Sequence, residues 1–383
     1  MLTLLLRLLI IAVCLMPLSA IADDKGLLSE VTYYVTVAGA GTGDAGKTGG
    51  SWANAMPWSD AGVSCFEKIL NETSGTSELA KGTDGTQTTA GGTIFYVYTG
   101  TYTLTGGING TADGIAVSPY WIVGVDNNVD LSANAHRATG DNRPLFVAAA
   151  NNFSFDKYWQ HHSIRVNITG VLGFYKGVES VVSGCSVTNG SATADRYAMR
   201  STNAYGKVIN CKVNCTNGYG IGLGTAGQGL FNYVYNSEGG CNANGDLSSI
   251  SYNIFDTCAK GLEISTRISD RINNNTFYKN TLALNATTAT SIILINNIFN
   301  DNTTAVNVTG NQAANWFVDY NNWEGNTTDI ATTSPIFAKG LNATAVDPLF
   351  VDPDNANPNL RDFSLQAASA CVDAGMSITE GVQ

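Results

Sequence analysis

The chain has 383 residues, only 13% of them charged, and a formal net charge of −11. That balance offers no basic footprint for nucleic acid or an anionic membrane surface, so neither is an expected partner. Gly, Asn, Thr and Ser abound instead, which gives a hydrogen-bonding surface suited to neutral or weakly charged sugars.

Residues 1–22 read as an export signal. Arg7 supplies a thin positive segment, Leu8 to Met16 an apolar run, and Ala20-Ile21-Ala22 a small-residue cleavage site. Pro17 breaks the run, which is shorter than the roughly 20 residues that span a bilayer. No membrane span is therefore expected after cleavage, and the expected location is secreted, periplasmic or cell surface. No linker divides the rest, so one domain is expected over 23–383. Its parts are a strand and cap region at 23–92, solenoid coils at 93–326 and a closing segment at 327–383.

Thr32 to Val37 reads as the first strand, followed by a glycine-rich loop. Within it Gly41-Thr42-Gly43-Asp44-Ala45-Gly46-Lys47-Thr48 fits the phosphate-loop pattern letter for letter. That chemistry needs a helix starting at the lysine, and Gly49-Gly50-Ser51 is a poor helix start, so no nucleotide is expected. A short helix around Cys65 to Leu70 is predicted to cap the solenoid, whose open end would otherwise be a sheet edge. Gly92 to Tyr98 and Trp121 to Val125 read as strands; the pattern through 103–180 does not fix a register.

From residue 180 to 326 one pattern comes round seven times. Val187, Val213, Tyr235, Phe255, Phe277, Phe299 and Trp323 form one column, and five residues earlier stand Val182, Val208, Leu230, Ile250, Ile272, Leu294 and Val318. Between them lie Cys185, Cys211, Tyr233, Asn253, Asn275, Asn297 and Asn321, so the last four coils set asparagine over asparagine. A repeat of 20–26 residues with short apolar runs and no long helical period is a β-solenoid. No single coil buries its apolar residues, and stacking makes one core. Alternation such as Ala305-Val306-Asn307-Val308 marks a strand with one buried face. The fold class is all-β, a single-stranded parallel β-helix with an N-terminal cap, its asparagines laddered at about 4.8 Å.

Seven cysteines follow the signal, and an odd count leaves at least one thiol unpaired within the chain. Cys185 and Cys211 hold equivalent places on adjacent coils. They either bridge or sit as small core residues.

Both ends carry a resemblance. Tyr33-Tyr34-Val35, Gly50-Ser51-Trp52-Ala53-Asn54-Ala55, Gly92 to Tyr98 and Gly100-Thr101-Tyr102 resemble the opening of secreted right-handed β-helix proteins of the pectate-lyase-like superfamily. Val346 to Pro353, Asp362 to Gln366 and Ser369 to Gly375 are similar to the segment that closes many of those solenoids. The resemblance implies the right-handed sense of the coil. It leaves the activity open, because the superfamily mixes lyases, hydrolases, epimerases and non-catalytic surface proteins. The chain stops at Gln383 soon after that segment, without a sorting signal, which leaves a truncated product open.

Sugar-chain lyases need a base and a cation to neutralise a uronate carboxylate; hydrolases need two facing carboxylates. The Asn-Thr-Asp and Gly-His-Gly marks of polygalacturonase-like hydrolases and the Arg-x-Pro-x-x-Arg of pectate lyases are missing. One surface is nonetheless predicted. With Tyr197, Met199, Ile221, Leu223, Leu262 and Ile264 inward, Arg196, Arg200 and Glu263 point out as candidate catalytic groups. Gly220 and Gly222 form a floor between them, and Asp246 lies in the coil between. Solvated charges on an open strand face would look the same. A second cluster, Tyr158, Trp159, His161 and His162 beside Lys157, offers aromatic faces for sugar binding and His162 as a base, or a loop packed on the flank. Asp347, Asp352, Asp354 and Asp362 make Ca²⁺ possible, although Asp-Pro pairs are ordinary turn formers; no Cys/His spacing suggests a transition metal.

Two functional readings follow. One is an exported β-helix that binds extended polysaccharide or serves as a cell-surface structural or adhesion protein. The other is an enzyme, a polysaccharide lyase acting by β-elimination on a uronate-containing polymer. The sequence leaves the polymer, the oligomeric state and the disulfide pairing open.

Overall fold

The computed structural model describes residues 31–37, 55–57, 93–104, 108–110, 120–126, 142–148, 153–155, 158–168, 174–176, 179–189, 196–201, 204–264, 268–287, 291–309, 315–332 and 338–376. The export signal, the Gly41–Thr48 loop, Cys65 and the expected capping helix lie outside these residues.

Short apolar runs separated by one or two polar residues leave no room for helices, and each coil becomes three brief strands. These assemble into three parallel sheets of 12, 10 and 10 strands, called here sheets I, II and III. In one coil Ser249–Ser251 belongs to sheet I, Ile254–Asp256 to sheet II and Lys260–Ile264 to sheet III. Each pairs with its counterparts one coil before and one coil after. The fold is a right-handed parallel β-helix, the sense that crossovers between parallel strands take. The stack includes the stretch whose register the sequence left open. There Trp159–His162 lies in sheet I and Arg165–Ile168 in sheet II. Among the described residues no helix is long and apolar enough to cross a membrane.

The corners are as repetitive as the strands. Between sheets I and II a single residue in the left-handed conformation turns the chain: Asn210, Phe231, Tyr252, Asn274, Asn296 and Tyr320 all have φ between 50° and 59°. That conformation costs a residue other than glycine roughly 1–2 kcal/mol. Coil-to-coil bonds offset it, such as Phe231 N–H to Ser251 O at 3.2 Å and Tyr252 N–H to Asn273 O at 3.2 Å.

The core is a set of vertical columns. Phe255, Phe277, Phe299 and Trp323 stack at centroid separations of 5.1, 4.8 and 4.7 Å, close to the strand spacing. Each ring is at most 2% exposed, a burial worth roughly 1.5–3 kcal/mol per side chain.

The asparagine ladder runs through five coils. Asn232, Asn253, Asn275, Asn297 and Asn321 are all buried. In each step an oxygen accepts from the preceding coil, as Asn275 Oδ1 does from both Asn253 N–H (2.9 Å) and Asn253 Nδ2 (3.0 Å). The amide nitrogen then donates to backbone carbonyls, as Asn275 Nδ2 does to Ile250 O (2.8 Å) and Asn273 O (3.1 Å). A second ladder, Asn280, Asn302 and Asn326, lines the corner between sheets II and III.

One coil corrects the predicted columns. Val213 pairs with Val234 and not with Tyr235, Val208 with Gly229 and not with Leu230, and Cys211 N–H bonds to Asn232 and not to Tyr233. The physical reason is that a one-residue slip turns every side chain over. Val234 is fully buried, while Tyr235 stacks on Tyr233 outside sheet II at 5.1 Å.

The five cysteines of the coils, at 185, 211, 215, 241 and 258, are reduced and buried; Cys371 is half-buried. Cys185 and Cys211 thus take the core-residue option, at the head of the first ladder. Their thiols point at backbone carbonyls, Cys185 at Ser183 O (3.4 Å) and Cys211 at Ile209 O (3.3 Å).

The closing segment folds back along the outer face of sheet II. Its antiparallel pair, Phe350–Asp352 with Asp362–Leu365, sets Phe350 and Phe363 against Tyr278 and Tyr233. Sheet II is therefore covered along part of its length.

Candidate functional site

Sheet III carries the predicted surface. Its register sets Arg200 beside Gly222, then Asn242, Glu263, Asn285 and Asn307, in one outward column. A second outward column begins with Tyr197 and Tyr219, and continues through Gly239 to Lys260.

Strict alternation fails between the two columns, which corrects two expectations. Ala198, Gly220, Gly240, Gly261, Ala283 and Ala305 are all buried, immediately before the inward Met199, Ile221, Cys241, Leu262, Leu284 and Val306. Two consecutive residues thus face the core, and the first must be small. A Cβ on Gly220 would stand 2.5 Å from Val234, and one on Gly240 2.6 Å from Phe255. So Gly220 is not part of an outer floor, and Tyr197 points out where alternation had placed it inward.

Gly222 does form a floor. A Cβ there would lie 2.7 Å from the Tyr197 ring and 3.2 Å from Arg200 Cγ, and a Cβ on Gly239 would lie 2.1 Å from the Tyr219 ring. The missing side chains let both rings lie close against the sheet. Tyr197 stacks on Tyr219 at 5.3 Å with 24° between the planes, and the Arg200 guanidinium sits 4.8 Å over Tyr197. Arg200, Tyr197, Ser201, Thr225 and Asn244 border a cleft of about 140 Å³.

Glu263 is held from three sides. Tyr219 donates to one oxygen, Lys260 Nζ lies 3.1 and 3.0 Å from the two, and Asn285 Nδ2 donates to Oε1 at 3.1 Å. Burial alone would raise its carboxyl, but those bonds and the Lys260 charge outweigh it and hold the group below the usual carboxylate range. Tyr219 moves the opposite way, raised by burial and then by the Glu263 carboxylate. Asn307 continues the outward chain by donating to Asn285 at 2.9 Å.

No family model and no curated protein matches the chain. A solved structure of a pectate lyase, Pel9A, is similar to it with a TM-score of 0.43 at 15% identity. The match covers 93% of this chain and 94% of that one.

The remaining predicted residues are dispersed. Arg196 pairs in the backbone with Gly218, and its side chain lies outside the described part. Asp246 is half-buried in the turn after sheet III, its carbonyl accepting from Ala226 N–H at 2.7 Å. Trp159 and His161 are fully buried, so they are core residues and not a sugar platform. His161 pairs with Val182 in the aliphatic column of sheet I, which the sequence could not place without a register. His162 is on the outer side of sheet I, stacked on Trp121 at 5.1 Å and 3.3 Å from Gln160 Oε1. Tyr158 is half-exposed at the corner just before it, and Lys157 lies outside the described residues. The two predicted clusters thus occupy different sheets.

The aspartates of the closing segment are spent on turns and pairs. Asp347 and Asp362 accept from the backbone two residues on, Asp352 from Asn355, and Asp354 from Tyr278 and Lys279. Among the described residues no group of three His, Cys, Asp or Glu side chains is placed to hold a metal ion.

Sequence reading missed Tyr197, Tyr219, Asn242 and Lys260. The Tyr-x-x-Arg and Lys-x-x-Glu spacings of Tyr197/Arg200 and Lys260/Glu263 were available as a signal, since both span the same inward pair.

Proposed function

We propose that the protein is an exported β-helix that binds extended polysaccharide along the outer face of sheet III. The observation that carries this reading is the register column from Arg200 through Asn242, Glu263 and Asn285 to Asn307. Amides and charges recurring at about 4.8 Å suit a ligand that itself repeats. Beside them the half-buried Tyr197, backed by the buried Tyr219 ring, offers apolar ring surface next to a polar tip.

The same face favours binding over the lyase reading. Arg200 and Glu263 are three coils apart, roughly 14 Å at the strand spacing, so they do not reach one scissile bond together. Glu263, moreover, already accepts from Tyr219, Lys260 and Asn285 and is a poor proton acceptor.

The test is incubation of the full chain with acidic and neutral polysaccharides, with and without Ca²⁺, following new unsaturated or reducing ends alongside retention on the immobilised polymers. Retention without new ends, reduced in Tyr219→Ala and Arg200→Ala and unchanged in His162→Ala, is expected. New ends lost in Arg200→Ala or His162→Ala would replace this reading with the lyase.

A further inference from the structure

A cavity of about 280 Å³ lies far from sheet III, between the corner joining sheets I and II in the last coils and the end of the closing segment. That volume is at the lower end of ligand pockets, roughly 300 Å³. One wall is a run of left-handed corner residues, Asn274, Asn296 and Tyr320. The other is the tail at Cys371 and Asp373–Gly375. The tail is fastened there by a reciprocal pair: Asn296 Nδ2 donates to Met376 O at 2.9 Å, and Met376 N–H donates to Asn296 Oδ1 at 2.8 Å. A Cβ on Gly375 would meet that amide at 3.0 Å, so the residue type suits the contact.

The lining divides into two sets. Asn275 and Asn297 spend their amides in the core ladder, and Asn322 spends its own on Val346 and Thr344. Asn274, Thr276, Tyr320 and Asp373 instead make no side-chain hydrogen bond or ion pair with another described residue. An amide, two hydroxyls and an exposed carboxylate therefore line one small space, with Ile298 and Leu365 among its apolar members.

The chemistry selects the ligand class. Asp373 is the one charged residue of the lining and the chain as a whole is acidic, so an anion is repelled. A single carboxylate is too few for a hard cation, which takes 6–8 oxygens. A carboxylate accepts from two neighbouring hydroxyls, and an amide both donates and accepts. We infer that this cavity binds one neutral sugar residue, free or terminal, through Asp373, Asn274, Thr276 and Tyr320. The site is independent of the face on sheet III.

Ligand-observed NMR and calorimetry on the full chain test it, using glucose, galactose, mannose and xylose, with galacturonate as the charged control. Asp373→Asn and Tyr320→Phe are the variants; asparagine tolerates the left-handed backbone of position 373. At least one neutral sugar should bind while galacturonate does not. Asp373→Asn should weaken that binding by about tenfold, the effect of a hydrogen bond to a charged group. Tyr320→Phe should weaken it too, with the melting temperature of both variants unchanged. Arg200→Ala should leave it intact, which separates this site from the polymer face. Binding by none of the neutral sugars, or binding equal in Asp373→Asn and the parent chain, overturns the proposal. Should Tyr320→Phe disturb folding, Asp373→Asn alone decides.

Discussion

Arg361 Nη1 donates to Asp256 Oδ2 at 2.6 Å, although 105 residues separate them in the chain. The Tyr233 hydroxyl reaches the same oxygen at 2.6 Å, and Asp256 is fully buried. This pair holds the closing segment against sheet II, with Lys279 to Asp354 at 2.5 Å one coil further along.

Removing one partner of that pair strands a buried charge. Arg361→Ala should lower the unfolding free energy by about 3 kcal/mol, seen in urea titration, and should make the chain beyond Gly340 more susceptible to protease. The double variant Arg361→Met/Asp256→Leu should recover most of the loss. Equal losses in both would refute the charge argument.

Asparagines of the inner and outer ladders should differ sharply. Asn275→Ala leaves the Asn253 N–H and several buried carbonyls without their partner, at about 1–3 kcal/mol for each unsatisfied group. Asn285→Ala removes only outer-face bonds to Glu263 and Asn307 and should cost less than about 1 kcal/mol. Denaturant midpoints of the two variants check the contrast.

The heads of the ladders are open to improvement. The Cys258 sulfur lies 3.6 Å from Asp256 O and 3.8 Å from Val234 O, the places an asparagine amide would take, but its single S–H serves only one of them at a time and a thiol is a weak acceptor. Cys258→Asn should extend the Asn280 ladder by one coil and raise stability by about 1 kcal/mol. A lower melting temperature would mean that the core there has no room for the amide.

Acid should weaken the sheet III face in a defined direction. The Glu263 carboxyl is depressed in the folded chain, so its contribution is complete above the unfolded value of about 4.3. That contribution fades as pH falls through the folded value. The stability advantage of the parent chain over Glu263→Gln should therefore be full at neutral pH and vanish in acid. An advantage that persists at the lowest pH would show that Glu263 acts through packing.

The sequence by itself determined the solenoid and the identity of most core columns, because a repeat of side chains facing one core is a one-dimensional property of the chain. Phe255, Phe277 and Phe299 announce their stack by spacing alone, as do Asn275 and Asn297. It also pointed Arg200, Gly222 and Glu263 outward from one strand face, since each follows a residue read as inward, and the strand pairing then set them in one column. What only the tertiary structure decided lies where that signal is silent. Gly229 has no side chain to mark its column, so its coil was set one residue out. Gly220 faces inward beside Ile221, where Val234 of sheet II leaves room only for hydrogen, a constraint that comes from the neighbouring sheet and not from the strand's own period. Arg361 meets Asp256, and the tail meets Asn296, through the path of the closing segment, whose contacts follow no repeat and so left no trace in the sequence.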